Sequence, residues 1–349
     1  MRQKGFVESR LVSGVATQLQ ANIERLFEPS HRRVIILAGA TGVGKTAISL
    51  QLAAKIGGEI ISADSMQVYR GMDIGTAKPS KEEMAKIPHH LIDVCDVTEV
   101  FHVVQFYEHA KAACSDILLR GKVPIVVGGT GFYIHALLYG TPKGPPSDLA
   151  VRTRLTKEYE KFGLEALTEK LSAIDPIYAA TITKNDVHKV IRALEIIEVS
   201  GQPVSSFAWK ERAVEPFFDW RCWFLWLPKL RLYELLDKRC DAMLQKGLLE
   251  EVVALDRQGI RKNPTASQAI GYKQSLEFLD SAQTPADYDK FVQEFKQASR
   301  HLAKRQFTWF KKEKLFNWLD LAAHERDEVL DMIIEDWRNP GSVQMLPQE

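Results

Sequence analysis

Apolar residues recur along the chain with two periods, and the first is the short unbroken run. Val34–Ala38 is β-branched and apolar and stops at Gly39, which predicts a buried strand. Glu59–Ala63, ending at Asp64, His90–Val94, and Val123–Val127, closed by Gly128-Gly129, read the same way. Helical spacing separates them: Ile48, Leu52 and Ile56 within 46–56, then 106–119. Strands alternating with helices predict a parallel sheet wrapped on both faces. The rhythm breaks at the turn-rich segment Thr141–Pro146. From Asp148 to about Ser206 only helical patterns occur; strand character returns at Trp220–Leu227, and helices dominate afterwards. The expected organisation is an N-terminal extension (1–31), an α/β core (32–146 and 216–325), an all-helical insertion (147–215), and a C-terminal helix and tail (326–349). Leu11, Val15, Leu19, Ile23 and Leu26 give the extension a helical spacing, read as a plain helix or an organelle transit peptide.

Composition narrows the class. The 349 residues carry 46 Lys+Arg against 45 Asp+Glu, so bulk charge does not bind nucleic acid, although a local basic strip can. With 45% hydrophobic and 26% charged residues the chain has the make-up of a soluble globular protein. No run approaches the roughly 18 apolar residues of a membrane span. Cys95, Cys114, Cys222 and Cys240 are scattered, which points to thiols in a reducing compartment.

Chemistry enters at Gly39-Ala40-Thr41-Gly42-Val43-Gly44-Lys45-Thr46, which fits G-x-x-x-x-G-K-[ST] between a strand and a helix. Its backbone N–H groups converge on phosphate oxygens, the helix N-terminus adds its dipole, Lys45 supplies a point charge, and the Thr46 hydroxyl is placed for Mg²⁺. Such a P-loop holds a di- or triphosphate without saying whether a phosphoryl group moves. Asp64, directly after the second strand, lies where open α/β sheets bind ligands. It can ligate Mg²⁺, act as a general base, or cap the next turn.

Further along, the ordered blocks make the resemblance specific. Asp64–Tyr69, Gly75–Pro79, His89–Asp93, Gly128–Tyr133, Asn185-Asp186, Arg192–Glu195, Gln268–Lys273 and Ala303–Phe310, taken with the phosphate loop, resemble the tRNA dimethylallyltransferase family in its shorter bacterial form without a C-terminal zinc finger. The resemblance runs from about residue 34 to 312. It implies a P-loop NTPase-like α/β fold and transfer of a five-carbon prenyl group from dimethylallyl diphosphate to N6 of the adenosine 3′ to the anticodon, with Mg²⁺ assisting the diphosphate. By the same resemblance Asp64 is the general base, Arg239 reaches the diphosphate, and Thr130 lines the reaction channel. Contacts to the tRNA anticodon arm are then expected from Asp64, Ser65, Met66, Gln67, Thr130, Arg152, His188, Lys189, Val190, Ile191, Arg192, Gly271, Tyr272, Lys304, Arg305, Gln306 and Trp309. The enzyme is expected to be cytoplasmic and monomeric.

The basic faces have their own basis in the sequence. Between Lys296 and Lys314 there are seven Lys or Arg and one acid, Glu313. Lys296, Arg300, Lys304 and Lys311 share a helical stripe, with Phe307, Trp309 and Phe310 among them as packing surface or stacking platforms. Lys184, His188, Lys189 and Arg192 form a second cluster, in the insertion. Against the family pattern the phosphate loop has Ala40 in place of Pro, His188-Lys189 stands where Arg is common, and Ser299 replaces Thr. The competing readings are an isopentenyltransferase of free adenine nucleotides, a P-loop small-molecule kinase, and a nucleotide-gated RNA-binding switch.

Overall fold

The computed structural model describes residues 28–183, 185–207 and 213–342. The helical spacing of Leu11–Leu26 and Lys184 of the second basic cluster lie outside them. In chain order the helices are α1 (Lys45–Ile56), α2 (Lys81–Lys86), α3 (Val103–Leu119), α4 (Gly131–Tyr139), α5 (Leu149–Ile174), α6 (Pro176–Ala179), α7 (Val187–Ser200), α8 (Lys229–Gln245), α9 (Leu248–Gln258), α10 (Tyr272–Leu279), α11 (Pro285–Phe310) and α12 (Arg326–Arg338). The strands are β1 (Arg33–Gly39), β2 (Gly58–Ser62), β3 (His89–His90), β4 (Val123–Gly128), β5 (Asp219–Trp226) and β6 (Phe316–Asp320).

All six strands run parallel in the order β3-β2-β4-β1-β5-β6. β1 is central, and Val34–Ala38 have no solvent exposure, so a strand covered on both faces reads as an unbroken apolar run. On one face Ile35 and Leu37 meet Ile48 and Leu52 of α1 and Val329, Leu330 and Ile333 of α12 in a single cluster. The C-terminal helix is therefore part of the core.

Two elements differ from the sequence reading. The strand expected at His90–Val94 is cut to His89–His90, because Leu91 and Asp93 adopt left-handed φ values of 64° and 55°. Lys78, nearly buried, fixes that turn by donating to Asp93 Oδ1 and to Tyr69 O. The edge strand β6 lies in a region the pattern reads as helical; it pairs Phe316–Asp320 with Cys222–Trp226. Among the described residues no helix is long and apolar enough to cross a membrane.

The chain divides into two compact units, Met1–Leu138 with Glu215–Glu349, and Tyr139–Val214. The second contains α5, broken at Gly163, with α6 and α7, and no strand among its described residues. Its core joins Leu155, Leu167 and Leu171 of α5 to Val190, Ile191 and Leu194 of α7. Glu195 is buried there and accepts from Ser147 Oγ (2.6 Å), Asp148 N (2.7 Å) and Arg152 Nη2 (2.8 Å), with Arg192 Nη1 3.0 Å away.

Candidate active site

Because the sheet is parallel, β1, β2 and β4 deliver their following loops to one edge. The phosphate loop follows β1, Asp64 follows β2, and Thr130 follows β4. Gly44, with φ 100°, makes the left-handed turn that starts α1, a conformation a side chain would strain. Lys45 Nζ donates to Gly39 O and Ala40 O, both at 2.8 Å, which holds the ammonium over its own loop. Burial, with Arg239 nearby, lowers the Lys45 pKa to about 7, against a raising influence of Asp64. Thr46 is exposed at the first turn of α1.

Asp64 holds its own turn and leaves one oxygen over. Oδ1 accepts from Met66 N at 2.8 Å and Gln67 N at 3.4 Å; Oδ2 has no hydrogen-bond partner among the described residues. The cap and the reactive carboxylate are thus compatible readings of one side chain. Thr130 Oγ1 accepts from Ser65 N at 3.0 Å, tying the loop after β4 to the turn after β2. Arg239, on α8, faces the same space; burial lowers its pKa and Asp64 opposes the shift.

Thr41 of the phosphate loop, Asp64, Ser65, Thr130 and Arg239 line a cavity of about 450 Å³. Thr41, Asp64, Thr130 and Arg239 supply its polar side, and Leu236, Met243, Phe295 and Leu302 an apolar one. The sequence reading did not single out that apolar wall, although the amphipathic patterns of α8 and α11 carry it. Trp309 is 40% exposed at the rim, edge-on to Phe132. It stands so close to Gly131 that a Cβ there would come within 2.4 Å of the indole.

Other expected contacts divide by what they already hold. Gln306 Oε1 accepts from Thr41 N (2.8 Å) and its Nε2 donates to Gly129 O (3.0 Å), so it braces the phosphate loop against the loop after β4. Gln67 accepts from Ser62 Oγ (2.9 Å) and donates to Thr76 O (3.3 Å). Tyr272 is fully buried and donates to Glu251 (2.5 Å), and Gly271, with φ 91°, precedes α10 as its N-cap. Val190 and Ile191 are core residues of the insertion, so their side chains are not available to an RNA surface. Arg152 and Arg192 are committed to Glu195, while His188 and Lys189 are exposed, Lys189 with Asp186 at 2.6 Å.

The stripe on α11 is likewise divided. Lys296 pairs with Asp241 (2.7 Å) and Arg300 with Asp237 (3.1 Å), both on α8, so its first half joins two helices. Lys304, Arg305, Lys311 and Lys312 are exposed. The one acid in the run, Glu313, is turned onto His135 at 2.8 Å and is nearly buried.

The IPP transferase family model matches residues 67–313. The chain belongs to the IPP transferase family. A protein of Protochlamydia amoebophila named tRNA dimethylallyltransferase is 55% identical over 328 residues, 94% of this chain and 95% of that protein. A Chlamydia trachomatis serovar L2 protein of the same name is 49% identical, with 93% and 95% covered. Among solved structures, the tRNA isopentenylpyrophosphate transferase of Bacillus halodurans superposes with a TM-score of 0.64 at 37% identity, covering 88% of this chain and 97% of that one. A eukaryotic dimethylallyltransferase acting on tRNA gives 0.73 at 30% identity, with 88% and 79% covered. These family structures share the parallel α/β fold described above.

Proposed function

We propose that this member of the family transfers a dimethylallyl group from dimethylallyl diphosphate to N6 of the adenosine 3′-adjacent to the anticodon in tRNA, releasing diphosphate. The carrying observation is that Thr41 of the phosphate loop, the Asp64 carboxylate, Arg239 and an apolar wall line one cavity, with Lys45 near enough to Asp64 and Arg239 for their charges to shift its pKa. The phosphate loop suits the diphosphate, Leu236, Met243, Phe295 and Leu302 suit a five-carbon chain, and Asp64 suits an amine on the far side.

In this reading the N6 nitrogen attacks the allylic carbon as the bond from that carbon to the diphosphate oxygen breaks, and the N6 proton passes to Asp64 Oδ2. Lys45 and Arg239 hold the diphosphate and stabilise the charge it gains on leaving. Because an adenine amine is a weak nucleophile, alignment by Thr130, Ser65 and the cavity walls contributes more than proton removal. The donor that fits Mg²⁺ is the hard oxygen of the Thr46 hydroxyl, exposed at the first turn of α1. Mg²⁺ needs no protein cage, since it keeps several waters and takes phosphate oxygens alongside one or two side-chain ligands. Thr46 would hold it, and it would neutralise the departing diphosphate.

Exposed Lys304 and Arg305, with Trp309 at the rim, suit the anticodon arm, the cations for phosphate and the indole for a splayed base. His188 and Lys189 suit a second RNA contact. An enzyme with this substrate works in the cytoplasm. Incubating the protein with labelled dimethylallyl diphosphate, Mg²⁺ and either total tRNA or AMP tests the reading. Label on the adenosine 3′ to the anticodon supports it; label on AMP alone, or phosphoryl transfer from ATP without prenyl transfer, overturns it.

A further inference from the structure

Glu251 on α9 has no part in the chemistry above, yet its carboxylate is fully engaged. Oε2 accepts from Asp73 N (3.1 Å) and Ile74 N (2.7 Å), and Oε1 accepts from Gly75 N (3.2 Å) and the Tyr272 hydroxyl (2.5 Å). A carboxylate offers about four lone-pair sites, so every one is committed. Three of the donors are consecutive amides, the arrangement by which a curled backbone grips an anion. Here the anion is a side chain and the curled backbone is the wall of the site.

That loop needs an outside anchor. Ala77 is held in the left-handed region at φ 48°, and Gly75 lies against the Tyr272 ring where a Cβ would approach to 2.4 Å. Gly75 and Thr76 line the cavity beside Asp64, Ser65 and Met66. Gln67 Nε2 reaches across to Thr76 O (3.3 Å) and Ala77 O (3.5 Å), and Asp64 Oδ1 holds the amides of Met66 and Gln67. A continuous path of bonds therefore runs from Glu251 through residues 73–77 and Gln67 to the turn that aims Asp64. None of it passes through the phosphate loop.

We propose that Glu251 is a positioning residue for the acceptor half of the reaction, holding loop 73–77 as the wall against which the adenine is seated and fixing the aim of Asp64 through Gln67. The inference rests on the transferase reading. An amide at 251 turns one acceptor atom into a donor facing other donors, so Glu251→Gln releases part of the loop while nearly conserving volume.

The test compares wild type, Glu251→Gln, Glu251→Asp and Tyr272→Phe. It measures single-turnover prenyl transfer, KM for an anticodon stem-loop, affinity for a non-hydrolysable thiolodiphosphate analogue of the prenyl donor, and Tm. E251Q should lower the single-turnover rate and raise the acceptor KM by on the order of 10- to 10²-fold, the scale of a misplacement of about 1 Å. Donor affinity should stay unchanged. E251D, which keeps the charge, should recover part of the loss, and Y272F, which keeps the three amide bonds, should lose less. Wild-type rate and acceptor KM in E251Q, or donor affinity falling in step with acceptor use, overturns the proposal. Should E251Q not fold, Y272F decides on the same readouts, a rise in acceptor KM supporting the proposal and no change overturning it. A wild-type protein that transfers no prenyl group overturns the transferase reading instead, and that is seen before any variant is compared.

Discussion

Asp64 shows how one side chain can satisfy a structural and a chemical role, and the division decides how it is tested. Asn keeps an Oδ1 acceptor for Met66 N and Gln67 N, so the turn survives while the base is lost. Asp64→Asn should therefore lower single-turnover prenyl transfer by roughly 10²-fold, the scale of a lost general base, with donor binding intact. An unchanged rate would leave Asp64 only its turn. Lys45 makes a second prediction, through its pKa of about 7. Above that pH the free ammonium has lost its proton, whereas a bound diphosphate favours the charged form. Binding then takes up a proton, and affinity should fall as pH rises above 7, by at most about tenfold per unit. Calorimetry in buffers of different ionisation enthalpy measures the uptake, and Lys45→Met should abolish it at the cost of affinity. The same proton deficit moves stability the opposite way: between pH 7 and the ordinary lysine range the folded chain binds fewer protons than the unfolded one. The penalty of burying Lys45 is therefore full below pH 7, where the folded state must hold the proton in a buried site, and is relieved as pH rises from 7 toward the ordinary lysine range; stability rises across that window and falls with acid.

At the scale of elements, legibility followed the number of constraints each segment obeys. β1, β2, β4 and β5 are covered on both faces and read directly as apolar runs. β3 did not, because Lys78, a residue well upstream, bends the chain at Leu91 and Asp93. β6 is an edge strand whose Phe316, Trp318 and Leu319 match neither period cleanly, and only pairing with β5 defines it. The α11 stripe was legible as charge but not as partnership, since the acids that claim Lys296 and Arg300 sit on another helix. Neutralising Lys304 and Arg305 should weaken tRNA binding and reduce the log–log salt slope by about 0.7–0.9 for each RNA phosphate left without its cation. Neutralising Lys296 and Arg300 should instead leave the slope alone and lower Tm slightly, because partly exposed ion pairs contribute about 0–1 kcal/mol each. A salt series of tRNA affinity, read beside thermal melts of both double variants, separates the two halves of the helix.

For the whole molecule, the phosphate loop and the turn at Asp64 were readable because each is local in sequence. The apolar wall and the Glu251 clamp were not, since they exist only once α8, α9 and α11 are assembled. The insertion repeats the lesson with charge. Arg152 and Arg192 looked like free cations for RNA, but both face the buried Glu195, which also takes Ser147 Oγ and Asp148 N and so pins the end of the Pro-rich segment; Arg192 Nη2 donates to Pro145 O at 2.6 Å. Burial alone would raise the Glu195 pKa, yet the hydrogen bonds from Ser147 and Arg192 hold it below the usual carboxylate range. Its contribution to stability is therefore present above the ordinary glutamate range and lost as pH falls through the lowered value. Two arginines around one carboxylate leave a net positive charge, so the cluster can hold the insertion together and still attract phosphate. Removing the carboxylate separates these roles: Glu195→Ala leaves exposed Arg152 and partly exposed Arg192 without their partner and orphans Ser147 Oγ and Asp148 N, and should destabilise by about 1–3 kcal/mol, the cost of unsatisfied donors. Arg152→Gln, with Arg192 still on Glu195, should cost less and remove one unit of charge. If that residual charge serves RNA, Arg152→Gln lowers tRNA affinity and its salt slope while Tm barely moves; a fall in Tm with an unchanged slope would make the arginine a counter-ion to Glu195 alone.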